Sequence, residues 1–229
     1  MKNCYRLAIT AAIVGFGLGT LNVAQAATVS LSSSNQGWWS KDTGNYNQND
    51  NYITGNSNAN AYHSFFTFDL SALAGVSTAT LQVKRFNGSG NPTNTLGFFD
   101  VSTSADVLSQ KFNNPNNSIY NDLGSGKNYG TFNVSTLGNS DEILSFILNS
   151  DAIADINARS GQFFSIGGAL LGDLGEEQYL FGYSLDSSAK LVVDTDLATV
   201  PEPGTLSGAA LVGITGLWLK RKRKAFQAV

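Results

Sequence analysis

The chain contains one cysteine, Cys4, and one histidine, His63. A zinc site built from two or more histidines, or from a cysteine cluster, is therefore excluded. A Ser-His-Asp triad would depend on His63, which lies beside an aromatic run, and the chain has no nucleophile-elbow sequence. No glycine-rich pattern introduces a helix in the way that a phosphate-binding loop requires. These absences leave little support for catalysis, and we expect a protein that is not an enzyme.

Charged residues are also scarce, at 14% of the chain, and they are unevenly placed. Of the fourteen Lys and Arg, two precede residue 27 and five follow residue 199, which leaves seven between them. The same segment holds sixteen of the seventeen Asp and Glu, so its net charge is −9. An acidic surface repels a phosphate backbone, which argues against a nucleic-acid partner. The length of this segment suits one well-buried domain, 27–199.

The first 26 residues have the pattern of a secretory signal peptide. Lys2 and Arg6 precede an apolar stretch at 7–21, and the small residues Ala24 and Ala26 are placed for a cut before Ala27. We therefore expect export by the Sec machinery and loss of residues 1–26, including Cys4. The alternative is a retained N-terminal membrane helix. Cleavage would leave the mature protein without a thiol or a disulfide.

The last thirty residues, 200–229, form a three-part segment. Pro201, Glu202 and Pro203 cannot continue a helix or a sheet ladder, so this tripeptide is expected to stay extended and accessible. The uncharged run 204–219 follows, and as a helix it would reach roughly 24 Å, a marginal membrane span. The five cations that end the run are expected to stay on the cytoplasmic side; they are Lys220, Arg221, Lys222, Arg223 and Lys224.

This three-part pattern resembles the PEP-CTERM sorting signal of exopolysaccharide-producing Gram-negative bacteria. The resemblance implies that Pro201-Glu202-Pro203 is read by an exosortase, a membrane-embedded enzyme thought to cleave near the motif. It also implies transient anchoring in the inner membrane, followed by release to the periplasm, the outer surface or the extracellular matrix. The alternative is an ordinary C-terminal anchor that is retained.

Between the two terminal segments, short runs of Phe, Val, Ile, Leu and Tyr alternate with turn-forming clusters, which is typical of an all-β domain. We expect nine strands, near 28–32, 62–70, 80–85, 95–101, 129–134, 142–148, 162–167, 179–183 and 190–194. A short helix is predicted at 150–159 with Ser150 as its N-cap and Gly161 as its stop, and a weaker one at 104–110. The segments 113–118 and 122–126 are expected to be a surface loop and a turn.

Alternation is clearest in the second predicted strand, where Phe66, Phe68 and Leu70 share one face. Leu81 and Val83 repeat this pattern in the next strand. Leu73, in the short connection between the two strands, is expected to fold back onto the apolar face. The run from Phe66 to Leu73, followed by 79–83, resembles a segment of jelly-roll domains in secreted bacterial proteins, including carbohydrate-binding modules. The resemblance implies a β-sandwich of jelly-roll type with one or two short helices.

Sugar binding needs an aromatic platform beside planar polar groups. Trp38, Trp39, Tyr46 and Tyr52, with the Asn- and Gln-rich run 45–51, have this chemistry. Adjacent residues of a strand point to opposite faces, so only one of the two tryptophans is expected to be a platform and the other to join the core. We expect no cofactor, although jelly-roll domains often bind Ca²⁺; loop pairs with hard oxygen ligands are Asp42/Asp50, Asp173/Glu176 and Asp194/Asp196.

The sequence thus favours an exported protein of the cell surface or exopolysaccharide matrix, with a non-catalytic structural or polysaccharide-associating domain. A competing hypothesis is a glycoside-acting enzyme with paired carboxylates. Its candidates are Asp173, Glu176, Glu177, Asp186 and Glu142. A third hypothesis is an adhesin that binds protein partners, which would present an exposed apolar patch.

Overall fold

The computed structural model describes residues 27–45, 51–111, 114–182 and 188–196. They form eleven strands and three helices. The strands are β1 (Ala27–Ser32), β2 (Asn35–Ser40), β3 (Thr54–Ser57), β4 (Asn60–Asp69), β5 (Val76–Lys84), β6 (Thr93–Asp100), β7 (Asn128–Ser135), β8 (Ile143–Ile147), β9 (Phe163–Leu171), β10 (Gln178–Leu180) and β11 (Lys190–Thr195). The helices are α1 (Ala105–Leu108), α2 (Asn117–Asp122) and α3 (Ser150–Ala158).

The strands form two antiparallel sheets. A four-stranded sheet has the order β1-β11-β5-β8, and a larger sheet has the order β10-β3-β4-β9-β6-β7, with β2 also paired to β4. Apolar side chains from both sheets pack in one continuous core. It contains Phe66 and Phe68 from β4, Leu70 directly after β4, and Leu81 and Val83 from β5 in the smaller sheet. The expected all-β class and these expected core residues are therefore confirmed.

The second face of β4 is buried as well, which the alternation argument did not predict. Phe65 is fully buried in a separate cluster with Trp39, Val101, Leu108, Ile119 and Leu123. These partners come from β2, from the end of β6 and from the helical segment that follows it. A Cβ at Gly167 would lie 2.3 Å from the carbonyl oxygen of Leu123, so glycine permits the close approach of α2 to the sheet. Helices α1 and α2 thus cover part of the outer face of the larger sheet, whereas α3 packs against the main core.

All nine predicted strands are present, with ends that differ by up to four residues. β2 and β3 were not predicted, because their polar, glycine-containing sequences lack an apolar alternation. The loop predicted at 113–118 is wrong at Asn117 and Ser118, where α2 begins, while the turn predicted at 122–126 is present at 123–126, directly after the helix. Asn116 caps this helix by accepting from the backbone N–H groups of Ser118 and Ile119. The N-cap of α3 is Asn149 rather than Ser150, because the Asn149 side chain accepts from the first-turn N–H groups.

Candidate functional site

The two adjacent tryptophans lie on β2 and project from opposite faces of the larger sheet. Trp39 is fully buried in the cluster beneath the helices. Trp38 is half-buried, and its ring meets the Tyr62 ring edge-on, with centroids 5.0 Å apart and planes at 89°. The Trp38 indole Nε1 donates to Asn51 Oδ1 at 3.1 Å. Of the two indoles, only Trp38 keeps part of its surface accessible.

The other two aromatic candidates do not join Trp38 as a described surface. Tyr52 is fully buried in the main core, where its ring lies edge-on to Phe66 and Phe181. Its hydroxyl donates to the Lys84 carbonyl oxygen at 3.1 Å. The expectation that Tyr52 helps to form a stacking platform is therefore wrong, because its ring has no accessible face. Tyr46 lies outside the described residues. Tyr62, which the sequence argument passed over, takes the place beside Trp38.

A polar cleft of about 450 Å³ opens at the β3–β4 hairpin. Its lining combines amides, carboxylates and one ammonium group, contributed by Lys41, Asp42, Asn56, Ala59, Asn60, Ala61, Glu176 and Glu177. Lys41 follows β2, and Asn60 and Ala61 open β4, two strands that also carry Trp38 and Tyr62. The cleft and the Trp38–Tyr62 pair therefore share their supporting strands.

The hairpin beside the cleft turns through two residues with left-handed backbone, Asn58 at φ 51° and Ala59 at φ 59°. Two such residues match a type I′ turn, which suits the twist of antiparallel strands but favours glycine at its second position. Glu177 holds this turn: its Oε1 accepts from the Asn58 N–H at 2.6 Å, and its Oε2 accepts from Ser57 Oγ at 3.1 Å. Glu177 therefore already has a structural task within the cleft.

The other polar groups of the cleft are held in place by the surrounding loops. Asn56 Nδ2 donates to the Gly175 carbonyl oxygen at 3.1 Å, and Asn60 Nδ2 donates to the Asn58 carbonyl oxygen at 3.0 Å. Asp42, Glu176 and Lys41 are exposed. The site can thus offer amide and carboxylate oxygens to hydroxyl groups, and one ammonium donor, from a preformed frame.

The candidate carboxylates for glycoside cleavage divide between two places. Glu176 and Glu177 line the cleft, where the structure adds Asp42. Glu142 instead directly precedes β8, and its Oε2 accepts from Arg85 Nε at 2.8 Å. Asp173 is exposed, and Asp186 lies outside the described residues.

Among the candidate Ca²⁺ ligands, Asp194 already has a structural role. The Asp194 carboxylate accepts from the hydroxyls of Thr28 and Thr78, each at 2.7 Å, and these two hydrogen bonds lower its pKa. Its role is to tie β1 and β5 to β11. Asp50 lies outside the described residues. Within the part of the chain that the structure describes, no group of three or more acidic, histidine or cysteine side chains is arranged to hold a metal ion.

His63 is enclosed beneath α2 on the outer face of β4. Burial lowers its pKa to about 4, although a hydrogen bond with the Tyr120 carbonyl oxygen acts in the opposite direction. Because a carbonyl oxygen can only accept, Nδ1 carries the hydrogen of the neutral ring. A Cβ at Gly124 would lie 2.2 Å from His63 Cε1, so the ring is covered on that side as well. These contacts give the histidine a packing role.

A scan against models of known protein families finds no match, and no curated protein shows significant similarity to the chain. The predicted signal peptide, including Ala24 and Ala26, and the predicted sorting segment at 200–229 lie outside the described residues. Among the residues that are described, no helix combines the length and apolarity needed to cross a membrane.

Proposed function

We propose that this is an exported protein whose domain, 27–199, is a non-catalytic jelly-roll module that associates with polysaccharide at the cell surface or in its matrix. Its terminal segments would direct it there, through the signal peptide and the Pro201-Glu202-Pro203 motif. The fold, the site chemistry and the charge each support a part of this proposal.

The strand order supports the jelly-roll assignment. When β2, β3 and β10 are set aside, the eight remaining strands can be numbered from one to eight along the chain. The smaller sheet then has the order 1-8-3-6 and the larger sheet the order 2-7-4-5. This alternation between sheets is what two Greek keys of a jelly roll produce. The three additional strands, β2, β3 and β10, extend the larger sheet and form the frame of the cleft.

The observation that carries the binding proposal is the position of Trp38. Its ring is partly accessible, its indole N–H is bound to Asn51 and its edge contact with Tyr62 restrains it. A restrained aromatic ring can stack on a pyranose face at little cost in side-chain entropy. The cleft at the β3–β4 hairpin, formed in part by the strands that carry Trp38 and Tyr62, offers the amide and carboxylate oxygens that sugar hydroxyls require. This chemistry suits a neutral glycan.

Charge narrows the class of ligand. The segment 27–199 has a net charge of −9, so an anionic glycan would be repelled unless cations bridged the two. Stacking and hydrogen bonding to a neutral glycan depend little on ionic strength, whereas a contact between exposed charges weakens as salt is added. We therefore expect retention on a neutral matrix glycan to persist in high salt and in the presence of a chelator.

The test is affinity electrophoresis of the exported protein in gels that contain neutral or anionic matrix polysaccharide. Trp38→Ala should abolish retardation with little loss of stability, while Trp39→Ala should destabilise the domain because its indole is fully buried. Phe163→Ala is the matched control, since this aromatic side chain is also exposed but lies beside Asp69, at the far end of β4 from Tyr62. Unchanged retardation of a folded Trp38→Ala variant would remove the proposed site.

One observation favours a second function, hydrolysis of the same glycan. The cleft brings Asp42 together with Glu176 and Glu177, and glycoside cleavage needs two facing carboxyl groups. Release of reducing ends from the glycan, lost in Glu176→Gln and retained in Glu142→Gln, would identify the cleft as catalytic. Binding without release supports the non-catalytic module.

A further inference from the structure

Strand β8 is the outer strand of the smaller sheet and, among the strands that the structure describes, it pairs only with β5. Its residues Ile143–Ile147 include no charge and no proline, and its register with β5 is unbroken. Soluble proteins commonly protect such an edge with a charge, a proline or a bulge. The opposite edge strand, β1, instead presents exposed Thr28, Ser30 and Ser32. The β8 edge is therefore open to another strand.

The outward side chains of β8 are apolar. Ile143 and Ile147 are 53% and 75% exposed, and they lie on the outer face of the sheet with Ser145 between them. Phe146, between Ser145 and Ile147, points inward and is buried. Two isoleucines on one face of a five-residue edge strand would lose this exposure if a second strand lay beside them.

The backbone groups at the edge follow from the pairing with β5. The Arg85 N–H donates to the Glu142 carbonyl oxygen at 2.7 Å, and the Leu148 N–H donates to the Ala79 carbonyl oxygen at 2.9 Å. Residues of an antiparallel strand direct their backbone groups alternately to its two sides, so the even-numbered positions face β5. The N–H and C=O groups of Ile143, Ser145 and Ile147 consequently face the open edge.

We propose that β8 is the contact surface of a symmetric dimer, in which it pairs antiparallel with β8 of a second copy about a two-fold axis at Ser145. This register places Ser145 opposite its own equivalent and Ile143 opposite Ile147. These are the positions whose backbone groups point outward, so three hydrogen-bonded pairs form with two bonds in each. The strand is self-complementary in both its backbone and its side chains, as a two-fold interface requires.

Charge selects the same orientation. Asp141 and Glu142 precede β8, and in the two-fold register they lie opposite Asn149 and Leu148 of the second copy. A parallel pairing would instead bring the carboxylates of the two copies together, and like charges placed opposite each other destabilise a strand pair. The antiparallel arrangement thus avoids a repulsion between carboxylates that the parallel arrangement would create.

The inner side of the edge also has apolar surface to cover. A groove of about 410 Å³ lies between β7 and β8, and its apolar lining is Phe132, Val134, Leu144 and Phe146. In the two-fold pair Leu144 lies opposite Phe146 of the second copy, at the rim of this groove. The pairing would therefore add apolar contacts on both faces of the sheet.

The test uses oxidative crosslinking of the full chain in membranes and culture fractions of the producing cells, in a Cys4→Ser background. Ser145→Cys should yield a disulfide-linked homodimer, because the Cα atoms of a hydrogen-bonded antiparallel pair lie about 5.5 Å apart, within disulfide range. Ser30→Cys is the matched control, an exposed serine on the opposite edge strand, and should give at least about tenfold less dimer because nothing pairs it with its equivalent. Maleimide labelling of the reduced proteins verifies that both thiols are accessible.

A second pair of variants tests the register. Ile147→Lys should lower the crosslinked fraction about tenfold, because each of the two new ammonium groups in the dimer would lie against the apolar side chain of Ile143 of the other copy. Leu137→Lys, at an equally exposed position, should leave the crosslinked fraction unchanged. Adding Ile143→Glu to Ile147→Lys should restore the dimer, since the new carboxylate faces the new ammonium across the axis. Absence of a Ser145→Cys homodimer, equal dimer from Ser30→Cys, crosslinking to another protein, or no rescue by the double substitution would overturn the proposal.

Discussion

The imidazole of His63 stacks on the Tyr120 ring, with centroids 3.9 Å apart and planes 12° apart, and its Nδ1 lies 2.7 Å from the Tyr120 carbonyl oxygen. One residue of β4 thus makes both a ring contact and a hydrogen bond with α2. The neutral ring satisfies these contacts, and a protonated ring would carry a charge into a mostly buried site.

This contact predicts a stability that depends on pH. Burial lowers the folded-state pKa of His63 to about 4, whereas the unfolded chain has a value near 6.5. Between these pH values the unfolded state binds a proton that the folded state does not, so the free energy of unfolding falls as the pH drops through this window. The total loss attributable to His63 is about 3 kcal/mol, and above pH 6.5 the group has no effect.

Urea unfolding at a series of pH values measures this effect, with His63→Gln as the variant that does not titrate. The variant should show a smaller loss of stability than the parent between about pH 6.5 and 4. Below this window carboxylates such as Asp122 and Asp155, whose pKa values are lowered in the fold, contribute in both proteins. If the free energy of unfolding varied with pH in the same way for parent and variant within this window, the folded protein would not hold His63 as a buried, uncharged ring.

The main core predicts a large loss when Phe68 is truncated. Its side chain is fully buried between the two sheets, so Phe68→Ala removes apolar contacts and leaves a cavity, at a cost of about 3–5 kcal/mol. Phe163→Ala is the control on a neighbouring strand, and it should cost much less because that ring is 49% exposed. Denaturant unfolding gives both values. A loss below about 1 kcal/mol for Phe68→Ala would mean that the strand has another register.

The hairpin beside the cleft predicts a stabilising substitution. Ala59 has a left-handed backbone, which costs a residue with a Cβ about 1 kcal/mol or more, and glycine adopts it without strain. Ala59→Gly should therefore raise the free energy of unfolding by up to about 1 kcal/mol. Ala61→Gly, two residues further along the chain and within β4, should lower the free energy of unfolding because glycine weakens a strand. A destabilised Ala59→Gly variant would contradict the turn geometry.

The sorting proposal predicts a change in processing. Replacing Pro201, Glu202 and Pro203 with alanine should leave an unprocessed protein in the inner membrane, because an exosortase could no longer recognise the motif. Immunoblots of cell fractions compare its size and location with those of the parent. A retained anchor would be indifferent to this substitution, so equal size and equal fractionation would exclude sorting through the motif.

The strands that could be predicted from the sequence are those whose apolar residues alternate. In β4, β5 and β11 one face is filled by Phe, Leu and Val, and burial of that face against the other sheet requires the period of two. β2 and β3 carry no such pattern. β2 is held by β4, more than twenty residues further along the chain, and β3 pairs with the distant β10 as well as with β4, its partner in the hairpin. The helix α2 was missed for a similar reason, because an Asn-rich segment becomes helical only when Asn116 caps it and Ile119 finds a buried site.

The candidate site, too, could be predicted only in part from the sequence. Strand geometry alone predicts that Trp38 and Trp39 face opposite directions, since successive side chains of a strand alternate. Which of them is buried depends on the helices that cover Trp39, and these lie more than sixty residues further along the chain. The sequence likewise identified Tyr52 as an aromatic residue in a polar segment, but only packing against Phe66 and Phe181 decided that it belongs to the core.

The sequence by itself determined the all-β class, the main core faces and the acidic charge of the domain, because composition and short-range periodicity express these properties directly. The tertiary structure decided that both faces of β4 are buried, that Tyr62 rather than Tyr52 lies beside Trp38, and that Asp42 is grouped with Glu176 and Glu177. Each of these depends on contacts between segments far apart in the chain. Their proximity follows from the order of strands in the two sheets, which no local pattern of residues encodes.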